Sequence, residues 1–347
     1  MKIRFNAEWE PVAAVMMALP EADTDWEYIL PEALDQYIRI VKALTESNVK
    51  ILLLCRNTER ARSIFKDIAP EDKVCFIQAE YNDTWTRDYG PLCVEKNSEP
   101  RILDFGFNAW GMKFAADKDN LVNLDLADRH IFTKSLYRNK REFILEGGSV
   151  ESDGKGTILT TSRCLCSPNR NGGKSKYMIS EELRNHLGAD HVLWLDHGAL
   201  EGDDTDSHID TLARIAPENT IIFTGCRDFD DPQFEELLKM RAQLELFRTA
   251  EGEPYNLVEL PLPDPVYDPD DGSRLPATYC NYLILNDTIF MPTYASPAKD
   301  LLACQTVKIA FPNHKVVGVD CRTLLRQHGS LHCATMQLPE FAIDQVI

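Results

Sequence analysis

Short apolar segments alternate with longer amphipathic segments along most of the chain. Residues 12–19, 49–54 and 74–78 are short apolar runs, which predict buried strands. Residues 31–47 begin with a proline and repeat apolar residues at helical spacing, and residues 58–68 predict a second helix. This alternation of strands and helices predicts an α/β protein.

The same pattern continues toward the C-terminus. Residues 149–161 have an Asp-Gly-Lys-Gly centre between extended flanks, which predicts a β-hairpin, and residues 278–291 predict another around Asn286 and Asp287. The prolines and acids of residues 261–276 predict a long surface loop. The other predicted elements are a helix over 174–187 closed by Gly188, strands over 191–195 and 220–224, helices over 232–247 and 298–310, and a strand over 315–319.

One polar segment, residues 202–214, has the sequence GDDTDSHIDTLAR. Alternate residues share one face of an extended chain, so this spacing predicts that four side chains point together: Asp204, Asp206, His208 and Asp210. Apolar residues follow and would anchor the segment in a core. The interpretation is an active-site edge beside a cationic or reactive group. A solvated acidic loop and a metal site are the alternatives.

Composition narrows the choice of partner. With 37 Lys and Arg against 55 Asp and Glu, the formal charge is −18, which disfavours nucleic acid and suits a cationic substrate only weakly. The ten cysteines are scattered, mostly within apolar runs, and no Cys-x-x-Cys occurs, so we expect buried thiols in a reducing compartment. The sequence contains no secretory leader and no apolar run long enough to span a membrane, which predicts a cytoplasmic protein.

Cys333 differs from the other cysteines because it lies in GSLHCATMQLP, after a glycine-containing turn and between small and polar neighbours. A histidine or another cation beside it would make it a nucleophile. An inert structural thiol is the alternative. Aromatic and charged residues also crowd together in residues 83–91, which suits a recognition loop.

Four motifs in order, WTRDYGP, EGGSV, DDTDSHIDTLAR and GSLHCATMQLP, resemble those of the agmatine deiminase and Porphyromonas-type peptidylarginine deiminase family. The resemblance covers nearly the whole chain. It implies a single domain over residues 1–347 with the α/β pentein fold, a pseudo-fivefold propeller of ββαβ-type units. The sequence departs from the family's pattern at residues 328–331, where a run of glycines is common, and at Met336, where glutamine is common.

The resemblance also implies roles for individual residues. The implied catalytic residues are the nucleophile Cys333, the general acid and base His208, and the accompanying acid Glu146. The implied substrate-binding residues are the two guanidinium-binding carboxylates Asp88 and Asp210, the aromatic wall Trp85, and Asn281.

The expected chemistry follows from the guanidinium group itself. Two carboxylates would hold it in bidentate fashion, and the cysteine would attack its carbon. The histidine would protonate departing ammonia and then activate water to hydrolyse the covalent intermediate. This scheme predicts no metal and no cofactor.

The predicted reaction is hydrolysis of agmatine to N-carbamoylputrescine and ammonia. The resemblance also implies a homo-oligomer. Deimination of free or peptidyl arginine is the alternative, for which Arg163 and Arg170 are the candidate carboxylate ligands. In the agmatine interpretation, Asp204 and Asp206 are entrance charges exposed to solvent. A papain-type hydrolase and a non-catalytic pentein binding protein are less favoured classes, since neither explains the cysteine, histidine and carboxylate set.

Overall fold

The structure is a computed structural model that describes residues 2–70 and 72–344. This part of the chain contains seventeen strands and eleven α-helices. The strands are β1 (Ile3–Phe5), β2 (Ala14–Ala18), β3 (Lys50–Cys55), β4 (Val74–Gln78), β5 (Leu92–Lys96), β6 (Glu99–Gly106), β7 (Tyr137–Ile144), β8 (Val150–Ser152), β9 (Thr157–Thr161), β10 (His191–Leu195), β11 (Ala213–Ala216), β12 (Thr220–Gly225), β13 (Asn256–Pro261), β14 (Leu283–Leu285), β15 (Thr288–Thr293), β16 (Lys315–Asp320) and β17 (Met336–Leu338).

The helices vary from one turn to four turns. They are α1 (Leu30–Leu44), α2 (Thr58–Phe65), α3 (Thr86–Tyr89), α4 (Ala109–Met112), α5 (Asp119–Asp128), α6 (Ser162–Leu165), α7 (Pro168–Asn171), α8 (Lys176–Leu187), α9 (Phe234–Leu244), α10 (Pro297–Val307) and α11 (Arg322–Leu325).

The strands of the described chain form five small sheets that share one topology. In each sheet an antiparallel pair is followed by a parallel neighbour, and at least one helix lies between the second and third of these strands. The five sets are β5-β6-β7, β8-β9-β10, β11-β12-β13, β14-β15-β16 and β17-β2-β3. The chain therefore has a mixed α/β fold of successive ββαβ units, which is consistent with the pseudo-fivefold pentein expectation.

The fifth unit is built from both ends of the chain. Strand β17 near the C-terminus pairs antiparallel with β2, with Met336 opposite Met16, and β2 pairs parallel with β3. Cys333 lies just before β17, so its position depends on strands more than 270 residues away in sequence. This sheet therefore joins the two ends of the described chain. That residues 1–347 form a single domain stays a prediction.

Most elements predicted from periodicity are confirmed with small changes at their ends. Every residue of β2 is buried, as its uniformly apolar sequence indicates. Helix α8 begins after Ser175, whose side chain accepts the Met178 N–H, and ends at Gly188 in the left-handed conformation. The predicted hairpin over residues 149–161 is the antiparallel pair β8-β9.

Two predictions about extended segments are wrong. Residues 278–282, predicted as strand, form a loop before the shorter strand β14. Residues 204–210, whose polar side chains were predicted to point together on an extended chain, are not extended, because Asp206 and Ser207 have positive φ angles of 65° and 66° and a 3-10 helix follows at Ile209–Thr211. The Asp203 carboxylate accepts the Ser207 N–H at 2.7 Å, which stabilises this turn.

The cysteine and membrane predictions can be compared with the structure directly. All ten cysteines are free thiols. Over residues 2–70 and 72–344, every helix falls short of the length and apolar content needed to cross a membrane.

Candidate active site

The loops that enter the first strand of each unit converge on one buried centre. Each loop brings polar side chains with it. They are Asp88 before β5, Glu146 before β8, His208 and Asp210 before β11, Asn281 before β14, and Cys333 before β17, and Gly148 adds a backbone N–H. The fold thus brings together residues that lie up to 245 positions apart, and all the predicted catalytic residues are among them.

Asn281 connects the Cys333 thiol to a carboxylate. Its Nδ2 lies 3.2 Å from Cys333 Sγ and 3.3 Å from Asp210 Oδ2. Its Oδ1 accepts the backbone N–H of His332 at 2.9 Å and that of Cys333 at 3.3 Å. Burial and the nearby negative charges of Asp210 and Asp88 raise the pKa of the Cys333 thiol well above its ordinary value.

His208 is fully buried between two carboxylates. Its Nδ1 lies 3.6 Å from Asp88 Oδ1, and its Nε2 lies 3.6 Å from Glu146 Oε2. Neither ring nitrogen has a hydrogen-bond partner among the described residues. Burial lowers the pKa of His208, but the charge of Asp88 and the contacts with Cys164 and Glu146 outweigh it, so the pKa lies well above the ordinary value.

Gly148 determines how closely these groups approach each other. A Cβ atom there would lie 2.7 Å from His208 Nδ1, 2.8 Å from Asp88 Oδ1 and 3.0 Å from Asp210 Oδ2. Such contacts are shorter than packed atoms allow. Glycine at this position therefore lets the imidazole and both carboxylates face one small space.

Asp88 and Asp210 are held by different donors. Asp88 accepts the Gly148 N–H at 3.0 Å and the Trp110 indole N–H at 2.9 Å. Asp210 Oδ2 accepts from His332 Nδ1 at 2.7 Å, while Asp210 Oδ1 is buried and has no hydrogen-bond partner in the described chain. One oxygen of Asp210 is therefore left for a donor from a ligand.

Their surroundings move the two pKa values in opposite directions. Burial raises the pKa of Asp88 to about 6, against the opposing charge of His208. Burial also acts to raise the pKa of Asp210, but the hydrogen bond and charge of His332 outweigh it and lower that pKa below its usual value. Asp210 is the more strongly ionised of the two carboxylates.

Glu146 is fixed by an arginine rather than by the histidine. Arg170 Nε lies 2.8 and 2.9 Å from the two Glu146 oxygens, and both side chains are fully buried. The remaining nitrogens of Arg170 bind Asp206 Oδ2 at 2.6 Å and the Thr205 carbonyl at 2.8 Å. Burial opposes ionisation of Glu146, but the Arg170 and His208 charges lower its pKa.

Two predictions about acids and arginines need correction. Asp206 is not a solvated entrance charge, since it pairs with buried Arg170 and, at 2.9 Å, with Lys113. Arg170 is occupied by these contacts, so it is not a free ligand for a substrate carboxylate. Arg163 is exposed. Asp204 is half-buried, and its pKa is raised by burial.

Trp85 is buried beside the loop that carries Cys333. Its ring packs against Trp26 at a centroid distance of 5.9 Å. A Cβ at Gly329 would lie only 2.4 Å from the Trp85 ring, so this ring contacts the backbone just before Cys333. Its role as a wall for substrate stays a prediction.

Three supporting residues were missed or misassigned from the sequence: Trp110, His332 and Arg170. His332 directly precedes Cys333, and a histidine next to a proposed nucleophile was a usable signal. Trp110 and Arg170 carry no local pattern that separates them from packing or surface residues. Their roles depend on partners brought near by the fold.

Comparison with known proteins places this site in a family. The model of the Porphyromonas-type peptidyl-arginine deiminase family matches residues 4–339. The chain belongs to this family.

Individual relatives agree over nearly their full lengths. The agmatine deiminase of Pseudomonas aeruginosa (strain UCBPP-PA14) is 32% identical, covering 97% of this chain and 95% of that one. A solved agmatine deiminase of C. jejuni, a cysteine-to-serine variant with substrate bound, is 38% identical with a TM-score of 0.88, covering 97% and 96%. A Porphyromonas gingivalis structure with a provisional arginine deiminase name is 41% identical with a TM-score of 0.91, covering 99% and 100%. The protein is thus an enzyme of the deiminase type.

Proposed function

We propose that the protein hydrolyses agmatine to N-carbamoylputrescine and ammonia through a covalent intermediate on Cys333. One observation supports this proposal most strongly. Asp210 Oδ1 and both ring nitrogens of His208 are buried and have no hydrogen-bond partner in the described chain. These atoms lie around the Asp88 carboxylate and the Cys333 thiol. A planar cation with several N–H donors satisfies the Asp210 and Asp88 oxygens, while the His208 ring, protonated because its pKa is raised, stays available to donate a proton.

The carboxylates position the substrate for attack. Asp88 and Asp210 accept hydrogen bonds from the guanidinium nitrogens and hold its carbon beside the sulfur. Cys333 loses its thiol proton to solvent, and its Sγ, which lies 3.8 Å from Asp210 Oδ2, then forms the carbon–sulfur bond as the electrons of the carbon–nitrogen π bond move onto nitrogen. The positive charge of the bound substrate offsets the two carboxylates, so the pKa of the thiol falls once substrate is present.

His208 then carries protons in both halves of the reaction. The carbon–nitrogen bond of the tetrahedral intermediate breaks, and imidazolium gives its proton to departing ammonia. The neutral imidazole next takes a proton from water, which attacks the amidino-thioether carbon. The carbon–sulfur bond breaks, and the ureido product leaves with the thiolate regenerated. Glu146 stabilises the imidazolium form through the 3.6 Å contact.

Charges around the centre favour agmatine over arginine. Three arginines surround the site, and each is already paired with carboxylate: Arg87 with Glu8, Arg170 with Glu146, and Arg214 with Glu151. Acids also lie near the loop at residue 204, where burial raises the pKa of Asp83 to about 7 and the charges of Asp25 and Asp204 add to that shift. These acids suit the distal ammonium of agmatine and repel a carboxylate.

Arginine is the second candidate substrate, because the family is described as a peptidyl-arginine deiminase family and the P. gingivalis relative is named as an arginine deiminase. We expect a site without a carboxylate ligand to disfavour free arginine by about 100-fold in kcat/KM, or roughly 2.7 kcal/mol. A peptidyl arginine lacks the free carboxylate at an internal position, so a peptide substrate belongs in the same comparison.

The test measures ammonia and ureido product from agmatine, free arginine, an internal-arginine peptide and a C-terminal-arginine peptide. Agmatine should be preferred, Cys333→Ser should abolish turnover, and Cys226→Ser, at a distant half-buried thiol, should leave it unchanged. Preference for any arginine substrate would reject the agmatine assignment. Full turnover by Cys333→Ser would reject the covalent mechanism.

The remaining expectations complete the proposal. The reaction as written needs neither a metal nor a cofactor. Homo-oligomeric assembly and a cytoplasmic location stay predictions, to be checked by light scattering and by cell fractionation.

A further inference from the structure

A second thiol, which the proposed mechanism does not use, lies beside the catalytic histidine. Cys164 is fully buried in helix α6, and its backbone N–H is bound by Thr161 Oγ1 at 3.3 Å, which fixes the start of that helix. Its Sγ lies 3.8 Å from Glu146 Oε2. The thiol therefore points toward the Glu146 and His208 side chains.

These side chains offer three different donor atoms at one point. One sulfur, one imidazole nitrogen and one carboxylate oxygen, from Cys164, His208 and Glu146, all lie within 4.8 Å of one another. Both nitrogens of His208 are buried and have no hydrogen-bond partner in the described chain. The His208 Nε2 that faces Glu146 is thus available to a ligand.

The spacing agrees with tetrahedral zinc coordination. Zinc bonds of about 2.3 Å to sulfur and 2.0 Å to nitrogen or oxygen give ligand edges of about 3.5 Å for sulfur–oxygen and about 3.3 Å for nitrogen–oxygen. The corresponding distances here are 3.8 Å between Cys164 Sγ and Glu146 Oε2, and 3.6 Å between His208 Nε2 and Glu146 Oε2. These two edges need to shorten by only a few tenths of an ångström, and the third, between sulfur and nitrogen, lies within 4.8 Å.

The local charges also permit a divalent cation. Arg170 is the nearby cation, but it is paired with Asp206 at 2.6 Å as well as with Glu146. A metal that binds as Zn²⁺ displaces the Cys164 thiol proton and the His208 imidazolium proton, so the charge of the three-residue group is unchanged. Desolvation of uncompensated charge does not oppose the exchange.

We propose that Glu146, Cys164 and His208 form an inhibitory site for a thiophilic divalent metal ion of the Zn²⁺ type. The bound ion occupies the imidazole nitrogen that faces Glu146, so His208 can no longer move protons. The fourth coordination position is open to water or substrate. The loss of activity rests on the proposed function, whereas metal binding does not.

Binding is measured on the chelator-treated full chain with Co²⁺ as a spectroscopic probe and Zn²⁺ as competitor. We expect one ion per chain, with a thiolate-to-cobalt charge-transfer band that Zn²⁺ removes. In parallel, Zn²⁺ should inhibit agmatine turnover at matching occupancy, and chelator should restore it.

Cysteine variants identify the ligand. Cys164→Ser and Cys164→Ala should each weaken Zn²⁺ binding at least about tenfold and lose the charge-transfer band, while metal-free turnover persists. Cys333→Ser should lose turnover yet keep both the band and the one-ion stoichiometry. Cys166→Ser, at the neighbouring half-buried thiol, is the matched control and should behave as the wild type.

Opposite results would overturn the site. A band that survives in both Cys164 variants but disappears in Cys333→Ser would place the ion on the nucleophile instead. Absence of a band in wild-type protein would reject the site outright. If wild-type protein binds Co²⁺ as described but turns over none of the guanidinium substrates, the proposed function fails and the metal site stands.

Discussion

The Cys333 sulfur lies among negative charges, which is unusual for a cysteine proposed as a nucleophile. Asp210 and Asp88, together with burial, raise the pKa of the thiol well above its ordinary value, so the free enzyme holds it protonated at neutral pH. A neutral electrophile therefore reacts slowly with this protonated thiol. A cationic electrophile that binds in place of the guanidinium brings the charge that thiolate formation requires.

This difference predicts strong selectivity among small alkylating agents. 2-Chloroacetamidine, a cation, should inactivate the enzyme at least about 100-fold faster than neutral chloroacetamide, although both carry the same leaving group. The measurement is the inactivation rate at pH 7, with the modified cysteine located by mass spectrometry. Free cysteine provides the reference ratio for the two reagents. Equal selectivity for free cysteine and for the enzyme would contradict the model.

At the level of single residues, sequence motifs pointed to the polar groups that the fold brings together at the site, but not to the residues that hold them. Cys333, His208 and Asp210 stand in motifs whose order along the chain is informative. His332 and Trp110 act only through contacts across the fold, at 2.7 Å to Asp210 and 2.9 Å to Asp88. Neither contact is visible in local sequence.

Among the elements, the short segment α4 has a backbone that its sequence does not predict. Ala109, Trp110, Gly111 and Met112 all have positive φ angles, between 51° and 88°. Only glycine adopts this region without strain. Other contacts must therefore hold Ala109, Trp110 and Met112 in this conformation. Asn108 supplies one, since its Oδ1 accepts the Gly111 N–H at 3.0 Å. The result places the Trp110 indole on Asp88.

Removing this indole N–H should shift the pH dependence of catalysis. In the proposed mechanism Asp88 binds the guanidinium in its ionised form, and its pKa is about 6, so kcat/KM should fall as pH drops below about 6. The Trp110 hydrogen bond stabilises the ionised form. Trp110→Phe should therefore raise the Asp88 pKa further and move the acidic limb to higher pH by several tenths of a unit.

The matched control removes an indole N–H elsewhere. Trp194 donates to Ser180 Oγ at 3.1 Å and has no contact with the site acids, so Trp194→Phe should leave the acidic limb in place. Superimposable limbs for wild type and Trp110→Phe would show that this hydrogen bond does not control the Asp88 pKa.

Hydrophobic periodicity predicted elements wherever the buried face was set by local spacing. Strand β3 and helix α1 are examples, with continuous burial in the first and an apolar stripe in the second. The apolar pattern failed at residues 278–282, and the two-residue spacing of polar residues failed at residues 204–210, where the chain enters the site. There the backbone follows the geometry required by His208 and Asn281 rather than the pattern of apolar residues.

At the scale of the whole molecule, buried Arg214 links four of the five units. It lies on β11, and its guanidinium pairs with Glu151 on β8 and with Glu8 before β2. It also donates to the carbonyls of Cys280 at 2.9 Å and Tyr282 at 2.8 Å, in the loop before β14. Since the site is assembled from the same loops, this ion-pair network supports both stability and active-site geometry.

Arg214→Met should therefore destabilise the protein by about 3–5 kcal/mol, because it leaves buried carboxylates without their cation. Urea unfolding would show this as a lower midpoint, and Arg214→Lys should be intermediate, since it keeps the charge but loses the planar set of donors. The control is Arg227→Met, which breaks an ion pair with Glu259 at an arginine that is 84% exposed and should hardly move the midpoint. Arg214→Met and Arg227→Met could instead both unfold at the wild-type midpoint. In that case apolar packing alone would join the units, and the buried charges would serve only the site.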